Sequence, residues 1–153
     1  MPSASSLLKD KRRNKMTLDD NTQQQLVESA MHARQWAYAP YSHYSVGAAL
    51  LTASGKVYEG INVENAAYPS GVCAERVAVY KAVSEGEREF VAIAVVTENA
   101  VAPCGFCRQV LAEFGVDTTV IIANGEGQIA CVISLKDLLP GAFRSEDLPR
   151  ATP

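Results

Sequence analysis

The chain has 153 residues and a formal net charge of −3, with 48% hydrophobic and 20% charged residues. That size and balance fit one folded domain with a sizeable core. The acidic balance argues against a nucleic-acid partner, whose phosphates call for clustered Lys and Arg. No stretch approaches the ~20 apolar residues of a membrane span.

Residues 1–16 are rich in Ser and Lys and are read as a disordered N-terminal extension, with the basic run from Lys9 to Lys15 as a solvated tail. Met16 stands as an alternative start. Residues 17–153 are expected to form a single domain. The first residues lack the apolar core of a secretory signal. Four cysteines (73, 104, 107 and 131) without such a signal point to the cytoplasm. In that reducing compartment cysteine clusters are more often metal sites than disulfides.

Thr17 has the chemistry of a helix N-cap, and Asp19 and Asp20 oppose the dipole of the first turn. Leu26, Ala30, Ala33 and Ala37 recur at helical spacing, so a helix is expected over about 18–37, stopped by Pro40. Residues 44–52 read as a short buried strand, Ser54-Gly55 as a turn and 56–62 as its hairpin partner. Residues 63–72, with Asn65, Pro69 and Gly71, form a loop that delivers Cys73. A compact helix over 73–84 follows, with Gly86 as its stop.

The continuous apolar run at 91–96 is the pattern of a strand covered on both faces. Loop 97–103 leads into a helix from Cys104 to about Phe114, closed by Gly115. Residues 118–123 form a further strand, Asn124-Gly125 a turn and 128–133 a fifth strand, with Cys131 as a small core residue. Ser134 caps a short helix through Leu139, ended by Pro140-Gly141. The order α-β-β-α-β-α-β-β-α predicts a three-layer α/β/α sandwich around a mixed five-stranded sheet.

Cys73 and Cys104 both fall where a loop enters a helix. There the dipole and free N–H groups favour the thiolate, the form that binds metal. Cys107 follows three residues after Cys104, on the same helix face. Three thiolates hold a zinc ion and leave the fourth tetrahedral position open, the arrangement of a catalytic site. Glu75 lies two residues from Cys73 and can handle protons. Arg76 and Arg108, each beside a cysteine, are expected to donate to the sulfurs and offset their charge. Two other readings of these residues stay open. One is a thioredoxin-like redox pair at Cys104 and Cys107. The other is a closed structural zinc site completed by Cys131, His32 or His43.

Cys73-Ala74-Glu75-Arg76, followed by Pro103-Cys104-Gly105-Phe106-Cys107-Arg108-Gln109, resembles the cytidine deaminase superfamily, and its small homo-oligomeric members in particular. Three more blocks match in the same order: Ala39 to Tyr44, Asn62-Val63-Glu64-Asn65-Ala66, and Leu138 to Phe143.

The resemblance implies one zinc per chain, held by Cys73, Cys104 and Cys107. It implies hydrolytic deamination of cytidine and 2′-deoxycytidine in pyrimidine salvage, with Glu75 as the catalytic proton shuttle. Asn62 and Glu64 would hold the ribose, with Ala66 in the same motif. Tyr44, where the family often carries Phe, would pack on the base, and the backbones of Ala74 and Ala102 would meet the base edge. Tyr68 and Phe143 would reach a neighbouring subunit's site, which implies a homotetramer with shared active sites. The rival within this chemistry is a deaminase of a related aminopyrimidine nucleoside, such as a blasticidin-type antibiotic. An editor of polynucleotides fits poorly with an acidic chain of 7% aromatics.

Overall fold

The computed structural model describes residues 18–149. The readings of Thr17 as a cap and of residues 1–16 as an extension lie outside them. The helix cap within them is Asp19, whose carboxylate accepts from Thr22 N at 2.7 Å.

Helix α1 spans Asp20–Arg34 and the hairpin strands are β1, Gly47–Thr52, and β2, Val57–Ile61. Helix α2, Ala74–Ser84, strand β3, Phe90–Val96, helix α3, Gly105–Glu113, and strand β4, Thr119–Ala123, follow. Strand β5, Ile129–Ser134, and the single turn α4, Leu135–Leu138, complete the order. The sheet runs β2-β1-β3-β4-β5, with β3 and β4 parallel and every other neighbour antiparallel. This is the expected mixed sheet.

Alternation along the central strands sorts the core into two layers. Ala48, Leu50, Ile93, Val95, Val120 and Ile122 face α2, α3 and α4, where Ala78, Val79, Leu111 and Leu135 meet them. Their neighbours Ala49, Ala92, Ala94, Val96 and Ile121 face α1 through Leu26, Val27 and Ala30. Helices therefore cover both faces, and the continuous apolar run at β3 has the burial it demands.

Two glycines set how closely helices approach the sheet. A Cβ on Gly47 would stand 2.0 Å from the Ala30 carbonyl, and one on Gly60 would stand 2.1 Å from the Ala74 carbonyl. Gly60 thus lets the first residue of α2 rest directly on β2.

Three sequence expectations are corrected. Helix α1 stops at Arg34, three residues early, because the chain turns at Gln35 and Trp36 to bring Tyr38 into a bridge with Val63. Cys131 is exposed, since β5 is an edge strand whose outer face no described helix covers. Ser134 precedes α4 but makes no side-chain cap; its hydroxyl donates to the Val116 carbonyl at 3.3 Å. The loop over 63–72 is also more ordered than its composition implies. Val63 pairs with Val72, and Tyr68–Ser70 forms a 3-10 turn.

Candidate active site

Cys73 and Cys104 occupy equivalent places in two helices. Each is the extended residue before a first turn, Cys73 before α2 and Cys104 before α3. Neither side chain caps its own helix, so both sulfurs are free to meet across the gap between the helix starts. They lie 3.9 Å apart. Cys107, buried in the first turn of α3, brings a third sulfur to 3.5 Å from that of Cys104.

All three sulfurs fall within 4.8 Å of one another. Zinc–thiolate bonds of about 2.3 Å place tetrahedral sulfurs roughly 3.8 Å apart, so the donor set fits a zinc ion. Among the described residues the group has only these three members, and His32, His43 and Cys131 stand outside it. That composition is the one that leaves a zinc coordination position open, and it disfavours the closed structural site.

Three sulfurs this close cannot all ionise unless a cation stands among them. The Cys107 thiol, with Arg76 and Cys104 adding to it, pulls the Cys73 thiol down to about 5. The same hydrogen bond to Cys73, joined by burial, pushes Cys107 up. Arg76 Nη2 donates to Cys73 Sγ at 3.5 Å, as its place in the sequence predicts. Arg108 does otherwise. Its Nε donates to the Pro103 carbonyl at 2.7 Å and its Nη1 to the Leu138 carbonyl at 2.8 Å. It lies on the side of α3 that faces the 138–143 segment, and there it ties the entry of α3 to the end of α4.

Glu75 sits in the first turn of α2 and is only 4% exposed. Burial raises its carboxyl above the ordinary value of 4.5, with the neighbouring Cys73 charge acting in the same direction. A carboxyl held in this way accepts and returns a proton more evenly near neutral pH than a solvated one.

Asn62 and Glu64 are both bonded to the segment 41–46. Asn62 Nδ2 donates to the Tyr44 carbonyl at 2.7 Å, and its Oδ1 accepts from Val46 N at 2.9 Å. Glu64 Oε1 accepts from Tyr41 N and Ser42 N, each at 3.1 Å. The Ser42 amide bond leads the causes that hold the Glu64 carboxyl below its usual range. Tyr44 is half-buried, and its hydroxyl donates to Asn99 Oδ1 at 2.6 Å. Asn99 belongs to the loop that carries Ala102 and Cys104. Its role had no signal in the sequence, because nothing local links it to Tyr44.

Ala74 is fully buried at the start of α2, and Ala102 is half-buried against the same core layer. The structure brings these together with the cysteines and Glu75. It leaves Ala66, Tyr68 and Phe143 on the surface. Tyr68, 76% exposed, meets Tyr41 edge-on at 6.0 Å. Phe143 is exposed, with its carbonyl held by Gln109 Nε2 at 2.7 Å.

Residues 20–123 match the family described as "Cytidine and deoxycytidylate deaminase zinc-binding region". A cytidine deaminase of Halalkalibacterium halodurans is 52% identical over 128 residues, covering 82% of this chain and 96% of the relative. One from Sporosarcina psychrophila is 50% identical, covering 84% and 96%. Among solved structures, a cytidine deaminase from Burkholderia pseudomallei superposes with a TM-score of 0.74 at 51% identity, covering 78% of this chain and 97% of that one. A dCMP deaminase from the cyanophage S-TIM5, at 18% identity and a TM-score of 0.51, shares the fold.

Proposed function

The chain belongs to the cytidine and deoxycytidylate deaminase family, and we propose from that membership that it deaminates cytidine and 2′-deoxycytidine hydrolytically to the uridine nucleosides, releasing ammonia. The observation that carries this reading is the meeting of three cysteine sulfurs, gathered from two helix starts, beside a carboxylate that is 4% exposed. Relatives at half identity over nearly their whole length support the nucleoside as substrate.

Cys73, Cys104 and Cys107 would hold the zinc. When bound, zinc supplies Lewis acidity that makes a water nucleophilic at neutral pH. Glu75 would carry one proton from the attacking water to N3 of the ring, then take the second from the hydroxyl left on C4 and deliver it to the departing amine. Its burial supports this work, because a carboxyl raised toward neutrality both accepts and donates. Arg76 offsets the negative charge of three thiolates through its bond to Cys73. The backbones of Ala74 and Ala102, at the mouths of α2 and α3, meet the base edge.

Asn62 and Glu64 take the ribose through the donor and acceptor capacity that their bonds to the 41–46 segment leave over. Ala66 belongs to the same motif. Tyr44 packs against the base. Tyr68 and Phe143 complete a neighbour's site in a homotetramer, which is consistent with their exposure on a lone subunit. Residues 17–153 act as one catalytic domain. No described helix is long and apolar enough to cross a membrane, and a cytoplasmic place in pyrimidine salvage suits a nucleoside enzyme.

A substrate panel tests the reading. Cytidine and 2′-deoxycytidine should turn over well, free cytosine poorly and a blasticidin-type nucleoside poorly. Preference for the antibiotic over cytidine would replace the substrate while leaving the chemistry.

A further inference from the structure

One of the two residues between Cys104 and Cys107 makes a contact that the zinc site itself does not require. Phe106 lies in the Cys104-Gly105-Phe106-Cys107 segment and is 66% exposed. One face of its ring covers the Arg76 guanidinium, with the guanidinium carbon 4.4 Å from the ring centroid. That guanidinium donates to Cys73 Sγ. Its Nε is buried and has no hydrogen-bond partner among the described residues. A buried donor without a partner is costly unless something else offsets it, and the negative face of an aromatic ring attracts a cation within about 6 Å.

We propose that Phe106 is a positioning residue for the metal centre. Its ring holds the Arg76 cation against the Cys73 sulfur and keeps water from competing for that guanidinium. The contact also spans two elements. Arg76 belongs to α2 and Phe106 to α3, so the stack ties together the helix starts that present the three sulfurs. This role goes beyond the reading of the cysteines as zinc ligands, and it rests on that reading.

Loss of a hydrogen-bond partner of a metal ligand lowers metal affinity by about 10–100-fold in other sites, and Phe106 acts one contact further out, on the Arg76 partner of Cys73. Phe106→Ala should therefore release zinc to a chromophoric chelator about 10-fold faster than the wild type. Phe106→Leu, which keeps bulk without a π face, should behave like Phe106→Ala. Phe106→Tyr should restore the wild-type rate. In an Arg76→Gln background, Phe106→Ala should add nothing, because the ring has lost its cation. Phe106→Leu with wild-type zinc retention would overturn the role. So would additive effects in the Arg76→Gln background, which would mean that the ring acts through packing or subunit contacts instead. A wild-type protein that binds no zinc through its thiols would remove the zinc reading and this role together, an outcome distinct from zinc held equally by all variants.

Discussion

The Tyr44 hydroxyl reaches Asn99 Oδ1 at 2.6 Å, joining two loops that lie 55 positions apart. Asn62 grips the same tyrosine from the other side, at its carbonyl. A chain of bonds thus runs from the proposed ribose residues, through Tyr44 and Asn99, to the loop that carries Ala102 and Cys104.

Breaking that bond should loosen the proposed packing of Tyr44 on the base without removing the ring. Tyr44→Phe and Asn99→Ala should each lower kcat/KM for cytidine by about 5-fold, the worth of a hydrogen bond of about 1 kcal/mol. Combined, they should lower it no further, since both remove the same interaction. Steady-state kinetics on the two single variants and the double variant checks this. Additive losses would show that Tyr44 and Asn99 act separately.

Gly60→Ala should damage the site from beneath. The added Cβ would stand 2.1 Å from the Ala74 carbonyl and 2.6 Å from Ala78 N, both backbone atoms that cannot rotate away. Helix α2 has to shift, and overpacking of this kind costs about 1–3 kcal/mol. Cys73 and Glu75 move with the helix start. A lowered melting temperature together with weaker zinc retention is the expected pair of results. Gly55→Ala should destabilise through its φ of +87° alone, with no described neighbour within 4 Å, and zinc retention should hold.

The fold was legible in the sequence because each element carried its own period. Helical spacing in α1, the apolar run of β3 and the Asn124 turn each predict a local structure that the packing then keeps. Burial at the sheet edge was not legible. Cys131 sits in a sequence as apolar as that of β4, and only the strand order leaves it uncovered. The meeting of Cys73, Cys104 and Cys107 was readable because metal chemistry fixes both residue type and spacing. The partners of Arg108, Asn99 and Phe106 were not, since each contact joins segments distant in the chain or side chains free to turn either way. The sequence offers Arg108 a sulfur next door, but its guanidinium finds two carbonyls instead.

Acid should weaken the 41–46 segment through Glu64. The amides of Ser42 and Tyr41 hold its carboxylate in the charged form and depress its pKa below 4.5. A depressed carboxyl contributes stability that is present above its unfolded value and is lost as pH falls through its folded value. The loss belongs below about pH 4.5. Glu64→Gln should flatten that part of the acid-unfolding curve while leaving the slope above it unchanged. An identical acid limb in wild type and variant would show that these bonds do not couple to folding.

Removal of zinc should abolish turnover, and re-addition should restore it at about one ion per chain. The thiols should become open to alkylation in the stripped protein, Cys73 first, since its pKa of about 5 makes it the readiest thiolate. Mass mapping of the alkylated peptides reads the order. Faster modification of Cys107, the buried member, would contradict the charge arrangement.

The loss of absorbance near the cytidine maximum, followed with wild-type and Glu75→Gln proteins at matched zinc content, tests the central claim most directly. We expect turnover by the wild type at one zinc per chain. The variant should hold the same zinc and lose at least about 100-fold in rate, the lower end of what a positioned acid–base group contributes. Near-wild-type turnover by a zinc-loaded Glu75→Gln protein would contradict the role of the buried carboxylate and, with it, the mechanism built on this site.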